Sequence, residues 1–140
     1  MNIKIADLMA KQVITSQPHH TIDHVRKIMQ RNHISAVPIV NPDNEPLGIV
    51  TSSDLGKGLK GNTPVSSILQ PHVYQVPAYN DISVAAKVMI KNHIHHLVVT
   101  HEGSIVGIIS SFDLLHLIDK HRFTMNNPPE EGRKSKRNLK

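Results

Sequence analysis

The chain repeats itself. Shifted by 60 positions, Ile5 to Val40 lies on Val65 to Thr100; shifted by 59, Leu47 to Leu55 lies on Val106 to Leu114. These 45 aligned positions hold 12 identities, among them Asn32-His33-Ile34 against Asn92-His93-Ile94, Gly48 against Gly107 and Asp54 against Asp113. A duplication at this spacing means two copies of one small unit. Neither copy has enough chain to bury both faces of a sheet alone, so the two are expected to share a core.

Within each copy the pattern reads β-α-β-β-α. A short extended stretch (Val13 to Thr15; Val73 to Val76) leads through Pro18 or Pro77 to a helix start, with Thr21 or Asp81 placed to cap it. Apolar residues then fall at Ile22, Val25, Ile28 and Met29, and at Ile82, Ala85, Val88 and Met89, one stripe per helix; Asn32 and Asn92 are the expected stops. Two apolar runs follow, Ile34 to Val40 and Leu47 to Thr51, joined by the turn composition Asn41-Pro42-Asp43-Asn44-Glu45-Pro46; His101-Glu102-Gly103-Ser104 does the same in copy two. Thr51-Ser52-Ser53-Asp54 and Ser110-Ser111-Phe112-Asp113 each open a further short helix. The expectation is an α/β (α+β) fold, with repeat 1 at 1–60, repeat 2 at 61–122 and a tail at 123–140, the repeats packed sheet to sheet about a pseudo-twofold axis.

Composition narrows the function. Aromatic residues are 3% of the chain and Trp is absent, so the core is aliphatic and little remains for a base-stacking platform. Without cysteine there is no disulfide, thiolate zinc site or thiol nucleophile. No apolar run approaches the ~20 residues of a membrane span, and the expectation is a cytoplasmic protein with no membrane partner. Of the formal charge of +5, the segment from Asn126 to Lys140 carries +3, leaving the rest near neutral. That basic tail lacks apolar periodicity and is expected to be disordered; contact with nucleic acid through it is the least favoured reading.

At this point the residues carry a family resemblance. Ile34-Ser35-Ala36-Val37-Pro38-Ile39-Val40 followed by Gly48-Ile49-Val50-Thr51-Ser52-Ser53-Asp54-Leu55 resembles the signature of the cystathionine beta-synthase (CBS) domain, and Gly107 to Leu114 repeats its second half. The resemblance implies a tandem pair that binds an adenine nucleotide, AMP first and ADP or ATP as alternatives, as a regulatory ligand with no cofactor required. It further implies Asp54 and Asp113 on ribose, the hydroxyls of Thr51 and Ser110 near ribose or phosphate, the Ala36-Val37-Pro38 backbone beside the adenine, and His96 reaching phosphate. Thr15, Ser53, His95 and Leu97 are further candidate ligand-binding residues.

The residues themselves leave alternatives. A carboxylate in the first turn of a helix is held ionised by the dipole and has two acceptor oxygens for paired hydroxyls, yet it is also an ordinary helix-start residue. The run His93-Ile94-His95-His96, read as a strand, points His93 and His95 one way and His96 the other. It fits surface or core histidines, phosphate partners or a metal site. His33 and His93, both just after a long helix, are expected to share a structural role, and His19-His20 to lie solvated in a turn. The glycines and lysines from Gly56 to Gly61 lack phosphate-loop spacing and read as a linker.

Catalytic motifs are missing: there is no Gly-x-Ser-x-Gly and no His-Glu-x-x-His, and the Gly-x-Gly-x-x-Gly spacing of Gly56 to Gly61 follows a short helix, where it fits an inter-repeat linker. The sequence therefore reads as a stand-alone regulatory module, not an enzyme, which signals to an unknown effector protein. The alternative is a dimerising scaffold without functional ligand sites. Apolar residues beyond one stripe, Leu55 and Leu59 in copy one and Leu114, Leu115, Leu117 and Ile118 in copy two, point to a homodimer joined through helices.

Overall fold

The computed structural model describes residues 2–56, 58–70 and 72–119. The expected tail and the end of repeat 2 lie outside these. In chain order the elements are α1 (Ile5–Leu8), α2 (Ile22–Asn32), β1 (Ala36–Val40), β2 (Pro46–Thr51), α3 (Ser52–Leu55), a 3-10 turn (Val65–Ile68), β3 (Gln75–Pro77), α4 (Ile82–Asn92), β4 (His96–His101), β5 (Ser104–Ser110) and α5 (Ser111–Asp119).

The two long helices obey one rule. Ile22, Val25 and Met29 of α2 are buried, and so are their equivalents Ile82, Ala85 and Met89 of α4. Thr21 Oγ1 accepts from the His24 N–H at 3.1 Å, and Asp81 Oδ2 from the Ser83 N–H at 2.9 Å, so both expected caps are made. The Ser83 side chain first, and its N–H second, hold the Asp81 carboxyl below its ordinary value. Each helix stops at its Asn, whose side-chain amide donates back to Ile28 or Val88 at 2.9 Å. The next residue, His33 or His93, turns left-handed with φ of 54° or 55°, and its N–H returns to Met29 or Met89. The shared role of these histidines is therefore the left-handed helix cap.

Strands β1 and β2 form an antiparallel hairpin, as do β4 and β5; β3 adds parallel to β4. The β4–β5 turn is tight, with φ of 52° at Glu102 and 85° at Gly103, a twist that suits hairpins. The leading strand expected at Val13 to Thr15 is reduced to one parallel bridge between Ser16 and Ile39, and its counterpart sits later than expected, at Gln75–Pro77. The two sheets meet through Val40, Val98 and Ile105, with Val13 packed beside them.

What the repeat pattern did not reveal is an exchange. Segment 3–10 of repeat 1 docks on repeat 2: the Ile5 N–H donates to Asn80 O at 3.0 Å, the Ala6 N–H to Ala78 O at 2.8 Å, and Ala10 and Ile108 trade backbone bonds of 2.9 and 3.2 Å. Ile5 is wholly buried in the core of repeat 2, beside Val76, Leu97 and Ile109. Its equivalent Val65 is wholly buried in the core of repeat 1, beside Ile22, Val37 and Val50. Each such side chain contributes about 1.5–3 kcal/mol by leaving water, so each repeat's core is completed by the other's chain.

Two further expectations are corrected. Leu55 is buried and Leu59 packs against the core of repeat 1, and Leu114 and Leu117 pack in repeat 2. Among the described residues, the large apolar side chains of the helices that stand more than half exposed are Ile90 of α4 and Phe112, Leu115 and Ile118 of α5. His20 is only partly solvated: Ser16 Oγ lies 2.6 Å from its Nδ1 and the Gln17 N–H donates to the same nitrogen at 3.1 Å. Its ring packs between those of His19 and His24, and partial burial with these neighbours lowers its pKa.

Candidate ligand cavity between the repeats

A cavity of about 450 Å³ opens between the repeats. Repeat 1 contributes Ser35, Gly48, Ile49 and Thr51 to Asp54; repeat 2 contributes Gln70, His72 to Tyr74 and His93 to His96. The volume falls in the range of small-molecule sites.

On the repeat 1 wall, β2 runs straight into α3, and this junction shapes the polar end. The Thr51 N–H donates to Asp54 Oδ2 at 2.8 Å and the Thr51 hydroxyl to the same oxygen at 3.0 Å; Thr51 Oγ1 also lies 3.1 Å from Ser53 Oγ. Both readings of Asp54 therefore meet in one side chain. One carboxylate oxygen closes the capping box, and the other takes no hydrogen bond among the described residues. A carboxylate with one oxygen spare, beside the Thr51 and Ser53 hydroxyls, suits a vicinal diol.

The opposite wall corrects the strand reading of the histidines. His93 is the left-handed cap of α4, His95 lies in the bend that follows, and only His96 belongs to β4. All three line the cavity, because the chain turns between them instead of alternating. The Ser111 N–H donates to His95 O at 2.8 Å, and Ser111 Oγ lies 3.3 Å from His95 Nδ1, which tethers that ring. His96 is half-buried; burial first and then the neighbouring His95 lower its pKa, while Asp113 pulls it upward. Among the described residues no group of three His, Asp or Glu is placed to hold a metal ion.

Of the residues expected at a site, Thr51, Ser53, Asp54, His95 and His96 come together here. Thr15, Ala36, Val37, Pro38, Leu97, Ser110 and Asp113 do not line this cavity. Ala36, Val37, Pro38 and Leu97 are buried within their sheets. Their side chains serve the core, and the wall facing Asp54 comes from the other repeat. Ser110 and Asp113 form the matching junction between β5 and α5: the Ser110 N–H donates to Asp113 Oδ2 at 2.8 Å and the Asp113 N–H to Ser110 Oγ at 3.2 Å. The sequence reading missed His72, Val73 and Tyr74, whose signal was only their place just before β3. His72 and Tyr74 stack edge to face with ring centroids 4.5 Å apart.

The family model for the CBS domain matches the chain twice, over residues 5–61 and 65–120. The chain belongs to the CBS domain family and carries its domain as a tandem pair. The chain is 33% identical over 125 residues to a homoserine O-acetyltransferase from Methanosalsum zhilinae, covering 88% of this chain but only 25% of that enzyme. A CBS domain-containing protein of Bacillus subtilis, YhcV, is 26% identical, with 79% of this chain and 81% of that protein covered. Among solved structures, the CBS domain pair of protein MJ0100, determined with 5′-methylthioadenosine and S-adenosyl-L-methionine, superposes with a TM-score of 0.79 at 26% identity, covering 85% of this chain and 98% of that one. Adenosine-bearing ligands are thus bound within this family, and no helix of the described residues is long and apolar enough to cross a membrane.

Proposed function

We propose that the protein is a regulatory CBS pair that binds an adenine nucleotide, AMP foremost, in the cavity between its repeats and passes occupancy to a partner protein. The observation that carries this reading is the pairing of walls: a helix-start carboxylate with a spare oxygen on one side, and the imidazoles of His95 and His96 on the other. Ribose hydroxyls would rest on Asp54, and the phosphate would meet the histidines. Adenine would lie toward Val73 and Tyr74. MJ0100, whose solved complex holds adenosine derivatives, supports the ligand class. The cytoplasm, where such nucleotides are abundant, is the compartment this function requires.

Titration calorimetry of AMP and adenosine against wild type and Asp54→Ala tests the reading. Loss of charged hydrogen bonds worth ~1.5–3 kcal/mol lowers affinity for both ligands about tenfold or more. AMP alone tightens as pH falls from 8 towards 6, because imidazolium pairs with phosphate, until the phosphate takes up its own proton near ~6. Unchanged affinity in Asp54→Ala would sink the ribose assignment. A second reading, assembly as a homodimer, is favoured by the exposed Ile90, Phe112, Leu115 and Ile118 on the contacting helices α4 and α5.

A further inference from the structure

Asp113 does not line the cavity, yet it is tied to the strand partner of a histidine that does. His96 opens β4 and pairs across the sheet with Ser110, the last residue of β5. Ser110 in turn holds Asp113 by two hydrogen bonds, its N–H to Oδ2 and its Oγ to the Asp113 N–H. A carboxylate is thereby fixed by the residue directly opposite a cavity histidine. Both His96 and Asp113 are half-buried, so solvent screens them less than a surface pair.

We propose that Asp113 is a positioning residue for the cavity, its fixed negative charge supporting the His96 imidazole as the cationic partner of an anionic group on the ligand. This rests on the ligand reading given above and deepens it, because it names what lets the site favour phosphorylated over unphosphorylated adenosines. The groups that face His96 are His95 beside it in sequence and Asp113 from the start of α5. Asp54 of α3, His72 and Tyr74 of the segment before β3, and His93 at the end of α4 share its cavity. Of these only Asp113 and Asp54 are carboxylates, and Asp54 is the residue assigned to ribose. The device has no twin. In repeat 1 the equivalent of His96 is Ala36, paired with Thr51, so Asp54 has no histidine opposite it within its own hairpin.

Asp113→Asn tests the idea, since an amide oxygen still accepts from the Ser110 N–H while the charge is gone. Histidine ring resonances of the ligand-free chain, followed by NMR across pH, should show His96 titrating at lower pH in Asp113→Asn than in wild type. Asp113→Glu should restore most of the wild-type value. Near pH 6.5, AMP affinity should fall about threefold or more in Asp113→Asn, as expected for half a unit or more of pKa, while adenosine affinity holds. An unmoved His96 titration overturns the proposal. So does an equal loss of AMP and adenosine, which would make Asp113 a ribose ligand. If wild type binds no AMP, the ligand reading falls and this role with it; the titration, which needs no ligand, tells that failure from the first.

Discussion

Replacing the two equivalent hairpin glycines by alanine should give unequal results. Each is crossed by chain from the other repeat's leading segment, Met9 over Gly107 and Leu69 over Gly48. At Gly48 the new methyl would meet only the Leu69 side chain, with Cδ2 at 2.9 Å and Cδ1 and Cγ at 3.6 Å. A leucine tip can turn away. At Gly107 it would collide with Met9 Sδ and stand 2.9 Å from Met9 Cγ and 3.0 Å from the Ala10 carbonyl oxygen. Methionine can swing aside, but that carbonyl is fixed, because Ala10 and Ile108 exchange backbone bonds of 2.9 and 3.2 Å. Overpacking costs about 1–3 kcal/mol, weakened backbone bonds about 0.5–1.5 kcal/mol each, and the stiffer unfolded chain returns about 0.4–1 kcal/mol. Gly107→Ala is therefore expected to lose about 2–3 kcal/mol and Gly48→Ala no more than ~1 kcal/mol. Urea unfolding followed by circular dichroism measures both. Met9→Ala added to Gly107→Ala should recover only part of the loss. Equal losses at the two glycines, or full recovery by Met9→Ala, would refute the argument from the fixed carbonyl.

His33→Gly should stabilise the chain by about 0.5–1 kcal/mol, since glycine takes a left-handed cap without the strain a β-carbon brings; a lower urea midpoint would contradict this. His20 and His96 both lie below their ordinary pKa, so the unfolded chain takes up protons first as pH drops below ~6.5. Stability is then complete above that pH and is lost as the pH falls through the two folded values. The urea midpoint should be lower at pH 5.5 than at 7.5, and His20→Asn, which installs the residue found at the equivalent Asn80, should reduce the difference. For the homodimer, light scattering at micromolar concentration should give twice the chain mass, and Leu115→Ser with Ile118→Ser should give the chain mass. A monomer in wild type, with and without AMP, would exclude it.

Much of this architecture was legible because the chain states it twice. Helix periodicity, the caps Thr21 and Asp81 and the β2–α3 junction are local, each fixed by residues two to four apart, and they came through. The exchange of leading segments did not, because four residues at Ile5–Leu8 or Val65–Ile68 are too few to show a period, and nothing local says whose core Ile5 enters. The histidines misled for another reason. A left-handed residue after a helix is expected to be glycine or asparagine, so His93 read as strand and with it His95 and His96. Of the expected site residues, Thr51, Ser53, Asp54, His95 and His96 line the cavity. Ala36, Val37, Pro38 and Leu97 turn buried side chains to the core, which a strand's place in the sequence does not by itself reveal.

The exchanged segments also set a timetable. Ala10 cannot complete its pairing until Ile108 exists, and a ribosome adding roughly 5–20 residues per second needs about 5–20 s to deliver it. Through that interval the nascent chain must carry α1 without its dock, while repeat 1 becomes complete as soon as the Val65–Ile68 turn emerges. The first half can therefore close on borrowed residues before the second half has a core of its own. Contacts spanning so much of the sequence predict slow folding for a chain this short, with the antiparallel bridge between Ala10 and Ile108 among the last bonds to form.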